Sequence, residues 1–251
     1  MSNNTILGIP FNLINYSDVF NLIRSWRDKG EKHYICITNP HSVMLSRRDI
    51  DMRKAIGEAK LVLPDGIGII LASFLLGYKH KGRITGPTLM MKLCELGREY
   101  QYRHFFYGGG KNVVEDLVRK LSLMFPGLQI SGLYSPPFRD LSEEEDNKVI
   151  EKINSTKPDI VWVGLGAPRQ EKWMRDHLNK IDCTAMIGVG AAFDFHSGNV
   201  RWAPSWIRNI GLEWLWRLIL DPQKMWRRNI DSPLFLIKVF KQWLYMTFGS
   251  K

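Results

Sequence analysis

One pattern recurs between residues 34 and 190 and limits what the chain can fold into. A short apolar run ends in glycine, asparagine or proline, and a helix-like segment follows. The runs are "YICIT" (34–38), "LVL" (61–63), "HFFYGGG" (104–110), "LQISGLY" (128–134), "DIVWVGLG" (159–166) and "TAMIGVG" (184–190). Each is the length of a strand, and each is followed by enough chain for a crossover helix. That alternation predicts parallel strands with flanking helices, an α/β Rossmann-like sheet. Helix boundaries support it. Asn39 and Pro40 read as an N-cap and a first helical residue, opening a helix through "HSVMLSRRD". A second helix is expected over about 67–76. Asn112 is placed to cap a third, which "PG" at 126–127 ends. Ser142 and Glu145 form a capping box for a fourth. No internal repeat or low-complexity tract interrupts the series.

With 251 residues, the chain suffices for one large α/β domain, with or without a small appendage. Its 45% hydrophobic and 24% charged content suits a folded protein. The net charge of +10 calls for an anionic partner: nucleic acid, an anionic membrane or a phosphorylated substrate. Cys36, Cys94 and Cys183 are few and far apart, which argues against a disulfide framework or a zinc site and for a reducing cytoplasm. The start, "MSNNTILGIP", lacks the pattern of a signal peptide. No run of about 20 uncharged apolar residues is present, so no membrane-spanning helix is expected.

Composition shifts near residue 200, which divides a catalytic domain (1–200) from a C-terminal appendage (201–251). Six of the nine tryptophans lie beyond it, and nine Lys or Arg face three Asp or Glu there. The run "PLFLIKVFKQWLYMTF" (233–248) is interrupted by Lys238 and Lys241, so it suits a helix lying in a headgroup layer. The plain alternative is a C-terminal helix packed on the core.

Three of the expected strands end in glycines: Gly108-Gly109-Gly110, Gly164-Leu165-Gly166 and Gly188-Val189-Gly190. None completes GxGxxG, because Val113, Arg169 and Phe193 stand at the third glycine position, and no Walker A motif exists. The glycines favour a nucleotide-type ligand at the carboxyl ends of the strands without naming it. In "GLGAPRQEKW" (164–173), Arg169 stands at a helix start, where the helix dipole disfavours a cation unless an anion binds. "DID" (49–51) reads as a solvated charge cluster rather than a metal-nucleotide motif. No metal-ligand spacing appears, so no metal is expected. Arg217, Lys224 and Arg228 can share a helix face and suit a diphosphate, or single-stranded nucleic acid given the interleaved tryptophans. In "LVLPDGIGII" (61–70), Asp65 is either a helix cap or a chemical group.

Taken in order, several stretches resemble the WecG/TagA/CpsF group of bacterial glycosyltransferases, which build surface polymers such as teichoic acid and exopolysaccharides. They are "TNPHSVM", "LVLPDGIGI", "RITGPTLM", "FFYGGGKNVVEDLVRKLSLMFPGLQISG", "PDIVWVGLGAPRQEKWM" and "IGVGAAFDFHSGNVRWAPSWIRNIGLEWLWRL". The resemblance spans nearly the whole chain. It implies an inverting, metal-independent transfer of a sugar from a UDP-sugar to a polyprenyl-diphosphate-linked glycan, with no cofactor. The sugar would be N-acetylmannosamine, its uronic acid or a hexose. It also implies peripheral attachment to the inner face of the membrane, an appendage that completes the site, and an open oligomeric state that includes a homo-oligomer. It makes Asp65 the general base and places Thr38 near the reacting sugar. The expected substrate contacts are Asn39, Arg83, Gly108, Gly109, Gly164, Gly166, Ala167, Pro168, Gln170 and Asp194. From the appendage come Arg217, Lys224 and Arg227, with lysine standing where relatives commonly have arginine, so that the bidentate fork is lost at Lys224.

The chemistry suits these residues. One base must take the proton of the acceptor hydroxyl, and positive charge on the leaving diphosphate matters more than a general acid. Asp194 is the competing carboxylate, and His41 and His196 are further pocket candidates. The alternatives are a non-enzymatic nucleic-acid-binding domain and a nicotinamide-dependent oxidoreductase, the latter disfavoured by the three incomplete fingerprints.

Overall fold

The computed structural model describes residues 4–249, without the side chains of Lys224, Arg227, Arg228 and Asn229. A hairpin of β1 (Thr5–Ile6) and β2 (Ile9–Pro10) comes first. Its two turn residues, Leu7 and Gly8, have φ of +50° and +87°, the left-handed pair that a tight hairpin demands. Six strands follow: β3 (His33–Thr38), β4 (Leu61–Pro64), β5 (Arg103–Gly108), β6 (Gln129–Tyr134), β7 (Ile160–Gly164) and β8 (Ala185–Gly188). They form one wholly parallel sheet in the order β4-β3-β8-β7-β5-β6. The α/β parallel sheet expected from the alternation is what the chain builds.

A parallel sheet must be covered on both faces, and the strand side chains alternate between two apolar layers. Ile35, Ile37, Leu63, Phe106, Trp162 and Ile187 pack under α1 (Tyr16–Lys29), α5 (Gly86–Gly97), α6 (Val113–Met124) and α9 (Ala192–Ser197). Tyr34, Cys36, Val62, Phe105, Val161 and Met186 pack under the opposite layer. That layer holds α2 (Pro40–Ser46), α3 (Ile50–Gly57), α4 (Ile67–Leu75), α7 (Glu143–Ser155), α8 (Arg169–His177) and the long α12 (Pro222–Phe248). Two short helices, α10 (Ser205–Asn209) and α11 (Glu213–Leu220), lead into α12.

Several local expectations hold. Asn39 caps α2 by accepting from the Ser42 N–H at 2.9 Å, and Ser142 and Glu145 close the capping box of α7. Others need correction. The helix after β3 stops at Ser46 and restarts at Ile50, because Asp49 caps α3 through the Met52 N–H. Asp49 also pairs with Lys172 at 2.7 Å, so the "DID" cluster pins α3 to α8 rather than merely facing solvent. Asn112 precedes α6 but its side chain does not cap it; the residue sits at φ +63° instead. Four helices were not anticipated, α9 and α10 and the longer α1 and α5. α1 carries a reciprocal Asn15–Asp18 capping box, and α5 is capped by Thr85.

The C-terminal run packs on the core through one face of α12 and leaves apolar residues exposed on another. Phe235 and Val239 are fully buried against the core. Gln242 clamps the hairpin turn, accepting from Leu7 N–H and donating to the Thr5 carbonyl, each at 2.8 Å. Ile237, Phe240, Tyr245, Met246 and Phe248 remain exposed. Among the described residues, no helix is long and apolar enough to cross a membrane.

Candidate active site

Neighbouring strands β3 and β8 send their helices to opposite layers, α2 to one and α9 to the other. Such a divergence opens a crevice at the carboxyl edge of the sheet. Two adjoining cavities occupy it, of about 240 and 560 Å³. Asn39, His41, Asp65, Thr85, Glu213 and Arg217 line both, so these residues mark their junction. The smaller cavity continues along Gly166, Ala167, Gln170 and Gly190. The larger is walled by Leu71, Ile210, Leu212, Trp214, Met225 and Leu236. Leu71, Ile210, Trp214 and Leu236 are also exposed, so the apolar cavity runs out onto an apolar surface.

Asp65 stands at this junction, one residue past β4. Its backbone N–H donates to the Thr38 carbonyl at 3.0 Å, extending the β3–β4 pairing and aiming the side chain out of the sheet edge. The cap position of α4 belongs to Gly66, at φ +80°, and no side chain caps that helix. Asp65 is therefore not a helix cap. Burial raises its carboxyl from the ordinary 3.8 to about 6, and the neighbouring Glu213 adds to the rise. Arg83, the Gly66 N–H and Arg217 pull the other way. A carboxylate with that proton affinity is ionised at neutral pH and still basic enough to accept a proton in a transition state.

Of the other expected site residues, Asn39, Gly166, Ala167, Gln170 and Arg217 line the smaller cavity, and Arg83 lines the larger. Gln170 is held on both sides. Its Oε1 accepts from the Gly190 N–H at 3.0 Å, and its Nε2 donates to Glu171 at 2.9 Å. Glu171 is itself buried, and that burial raises its carboxyl. Arg83 donates to the Arg208 carbonyl at 2.6 Å, joining the loop before α5 to α10. Thr38 lines neither cavity. It is buried behind Asp65, with its hydroxyl unpartnered.

The structure does not bring the rest to the cavity walls. A Cβ on Gly108 would lie 2.6 Å from the Gly164 carbonyl carbon, and one on Gly164 would lie 2.8 Å from the Phe193 ring. Gly109 donates to the Gly164 carbonyl at 3.1 Å and faces Val113 and Phe193. These three glycines admit close packing of backbone and ring at the β5–β7 edge, and none of them lines either cavity. Pro168, joined to Ala167 by a cis peptide, lies at the start of α8 outside both linings. Asp194 accepts from the Asn199 side chain at 3.2 Å and lines neither cavity. Arg169 stacks over Phe138, and His196 is tied to the Pro87 carbonyl at 2.9 Å. Lys224 and Arg227 belong to α12, but their side chains lie outside the described ones. Among the described residues, no cluster of three His, Cys, Asp or Glu is arranged to hold a metal ion.

Two contributors escaped the sequence reading. Glu213 and Thr85 line both cavities, yet Glu213 sits in a tryptophan-rich stretch whose visible signal was positive charge.

A near-neutral carboxylate, arginines beside it, and a polar cavity opening into an apolar one suit a transferase that joins a charged donor to an amphipathic acceptor. Residues 4–247 match the model of the "Glycosyl transferase WecG/TagA/CpsF family", and the chain belongs to that family of glycosyltransferases. It is 32% identical over 250 residues to the N-acetylglucosaminyldiphosphoundecaprenol N-acetyl-beta-D-mannosaminyltransferase of Bacillus subtilis (strain 168), covering 96% of this chain and 93% of the relative. A protein of the same description from Staphylococcus aureus (strain NCTC 8325 / PS 47) is 28% identical over 238 residues, covering 94% and 91%. The nucleic-acid-binding and oxidoreductase alternatives find no support in these matches.

Proposed function

We propose that the protein transfers N-acetylmannosamine from its UDP-sugar to an N-acetylglucosamine linked through diphosphate to a polyprenol. The transfer is inverting and needs no metal, and it serves surface-polymer synthesis. The observation that carries this reading is the placement of Asp65 at the junction of a polar and an apolar cavity, with its carboxyl raised to about 6. The descriptions of the relatives support the choice of sugar and acceptor.

In this reading Asp65 takes the proton of the acceptor hydroxyl as that oxygen attacks the anomeric carbon. The bond from that carbon to the diphosphate breaks on the opposite face, and its electron pair leaves with UDP. Arg217 offsets the charge that develops on the diphosphate. Gln170 and Asn39, both held by backbone groups, present fixed polar edges to the sugar. The exposed apolar residues around the larger cavity, with the outer face of α12, rest the enzyme on the inner face of the membrane, where the lipid acceptor lies. Residues 201–251 act as an appendage that completes the site through Glu213 and Arg217.

The test is a mass-spectrometric screen of UDP-sugars against a short-chain N-acetylglucosaminyl-diphosphoprenol. UDP-N-acetylmannosamine should give a disaccharide-lipid with inverted linkage. No elongation with any UDP-sugar would remove the reading.

A further inference from the structure

Gln170 and Glu171 stand side by side in the first turn of α8, and both are buried, at 4% and 1% exposure. Their side chains meet, with Nε2 of Gln170 donating to Oε1 of Glu171 at 2.9 Å. On the other side of the amide, Oε1 of Gln170 accepts from the Gly190 N–H at 3.0 Å. A backbone N–H can only donate, so the Gly190 contact settles which end of the amide is oxygen. The nitrogen end then needs an acceptor, and Glu171 is that acceptor. Space around the pair is tight. A Cβ on Gly188 would lie 3.2 Å from Nε2 of Gln170 and 2.8 Å from the Met174 methyl carbon. Gln170 lines the smaller cavity beside Gly166, Ala167 and Gly190, whereas Glu171 lines neither cavity.

Glu171 is costly where it stands. Among the described residues, its carboxyl is held by the Gln170 side chain and by its own backbone N–H, and Oε2 is buried without a hydrogen-bond partner. A buried polar atom left in that way costs stability, which an apolar side chain of similar volume would avoid. The one side chain that Glu171 engages is a cavity-lining amide.

We propose that Glu171 is a positioning residue that locks the Gln170 amide in one orientation, so that a fixed polar edge meets the sugar of the donor. The inference rests on the glycosyl-transfer reading, in which the smaller cavity receives that sugar. With one N–H given to Glu171 and one oxygen lone pair given to Gly190, the amide keeps one N–H and one lone pair for a ligand. Those two valences suit a hydroxyl or acetamido group, which both donates and accepts. Holding them still lowers the ordering cost of binding and of reaching the transition state. Either protonation state of Glu171 can serve, because an ionised carboxylate and the carbonyl oxygen of a neutral acid both accept.

The test uses the full-length protein and measures transfer from UDP-N-acetylmannosamine to farnesyl-diphosphate-linked N-acetylglucosamine, with inhibition by UDP as the control. Glu171→Met removes the acceptor and nearly keeps the volume. It should lower kcat/KM about tenfold, the weight of one hydrogen bond to a carboxyl group. The inhibition constant of UDP should not move, since UDP carries no sugar to meet the amide. Glu171→Gln supplies a neutral acceptor and should recover kcat/KM to within about threefold of wild type. In a double-mutant cycle, adding Glu171→Met to Gln170→Ala should cause no further loss, because the amide to be held is gone. Unchanged kcat/KM in Glu171→Met would overturn the inference, and so would losses that multiply in the cycle. An equal loss of UDP inhibition would also overturn it, because it would report a collapsed pocket. Should Glu171→Met not fold, the isosteric Glu171→Gln decides alone: a loss of about tenfold or more there would overturn the orientation role. These outcomes in an active enzyme strike Glu171 alone. A wild type that transfers no sugar from any UDP-sugar sinks the glycosyl-transfer reading, and this inference with it.

Discussion

The two halves of the sheet's carboxyl edge share the strand-then-helix pattern and end their strands differently. At β5 and β7 the strands end in glycines and their helices leave to opposite layers, yet Gly108, Gly109 and Gly164 line neither cavity. Phe193 presses on Gly164 and, with Val113, on Gly109, and the backbones of Gly109 and Gly164 are hydrogen-bonded. At β3, β4 and β8 the edge is open: β3 and β4 end in Thr38 and Pro64, and Gly188 and Gly190, at and just past the end of β8, line the smaller cavity. The lesson is that glycine marks where backbones approach closely, and the thing approaching can be the protein's own phenylalanine. Phe193 and Val113 occupy the very positions where a dinucleotide fingerprint would have its third glycine. The residues that break the motif also fill the space.

Substitutions on the two sides should separate cleanly. On the open side, Asp65→Asn should lower turnover by about 10²–10⁴-fold, the usual contribution of a general base. Arg217→Ala should lower it about ten- to a hundredfold, as expected for one charge-assisted contact to a diphosphate. Replacing Ile237 and Phe240 by serine on the outer face of α12 should cut sedimentation with anionic vesicles about tenfold or more while turnover on a water-soluble acceptor persists. On the β5–β7 side, Gly164→Ala forces a Cβ against Phe193, which should cost about 1–3 kcal/mol of stability in a denaturant melt, with near-normal turnover in the folded fraction. Asp194→Asn should do least: less than about 0.5 kcal/mol, and no change in turnover. Strong loss of turnover in Asp194→Asn without loss of stability would erase the distinction between the sides.

The fold was legible because strand runs and caps are local signals. All six strands of the sheet, the Asn39 cap and the Ser142–Glu145 box follow from neighbouring residues. The family motifs carried the cavity-lining residues Asp65, Asn39, Arg83, Gly166, Ala167, Gln170 and Arg217. A linear reading does not show that Gly109 packs on Phe193 or that Gly108 packs on Gly164, because those contacts are set by the crossing of elements distant in sequence. The same blindness hid Glu213, which reaches the cavities as α12, with α11 against it, folds back over α2 and α4. No local spacing announces such a contact.

The central claim is that Asp65 is a carboxylate held at the site for chemistry and not for structure. Its folded-state affinity for a proton exceeds the unfolded one, 3.8 rising to about 6. The sign follows from that order. Below about 3.8 the group is protonated in both states and burial costs nothing. The cost grows as pH rises toward 6 and is full above it. For this half-buried group it amounts to about 1–3 kcal/mol at pH 7. The decisive measurement is therefore paired: turnover and melting temperature of Asp65→Asn against wild type, from pH 4 to pH 8. Turnover should fall by about 10²–10⁴-fold in the variant, and wild-type kcat/KM should fall as pH drops below about 6. The variant should melt several degrees higher at pH 7, with the gain shrinking toward pH 4. A variant that turns over normally and melts lower at pH 7 would show that Asp65 is a structural residue and contradict the account.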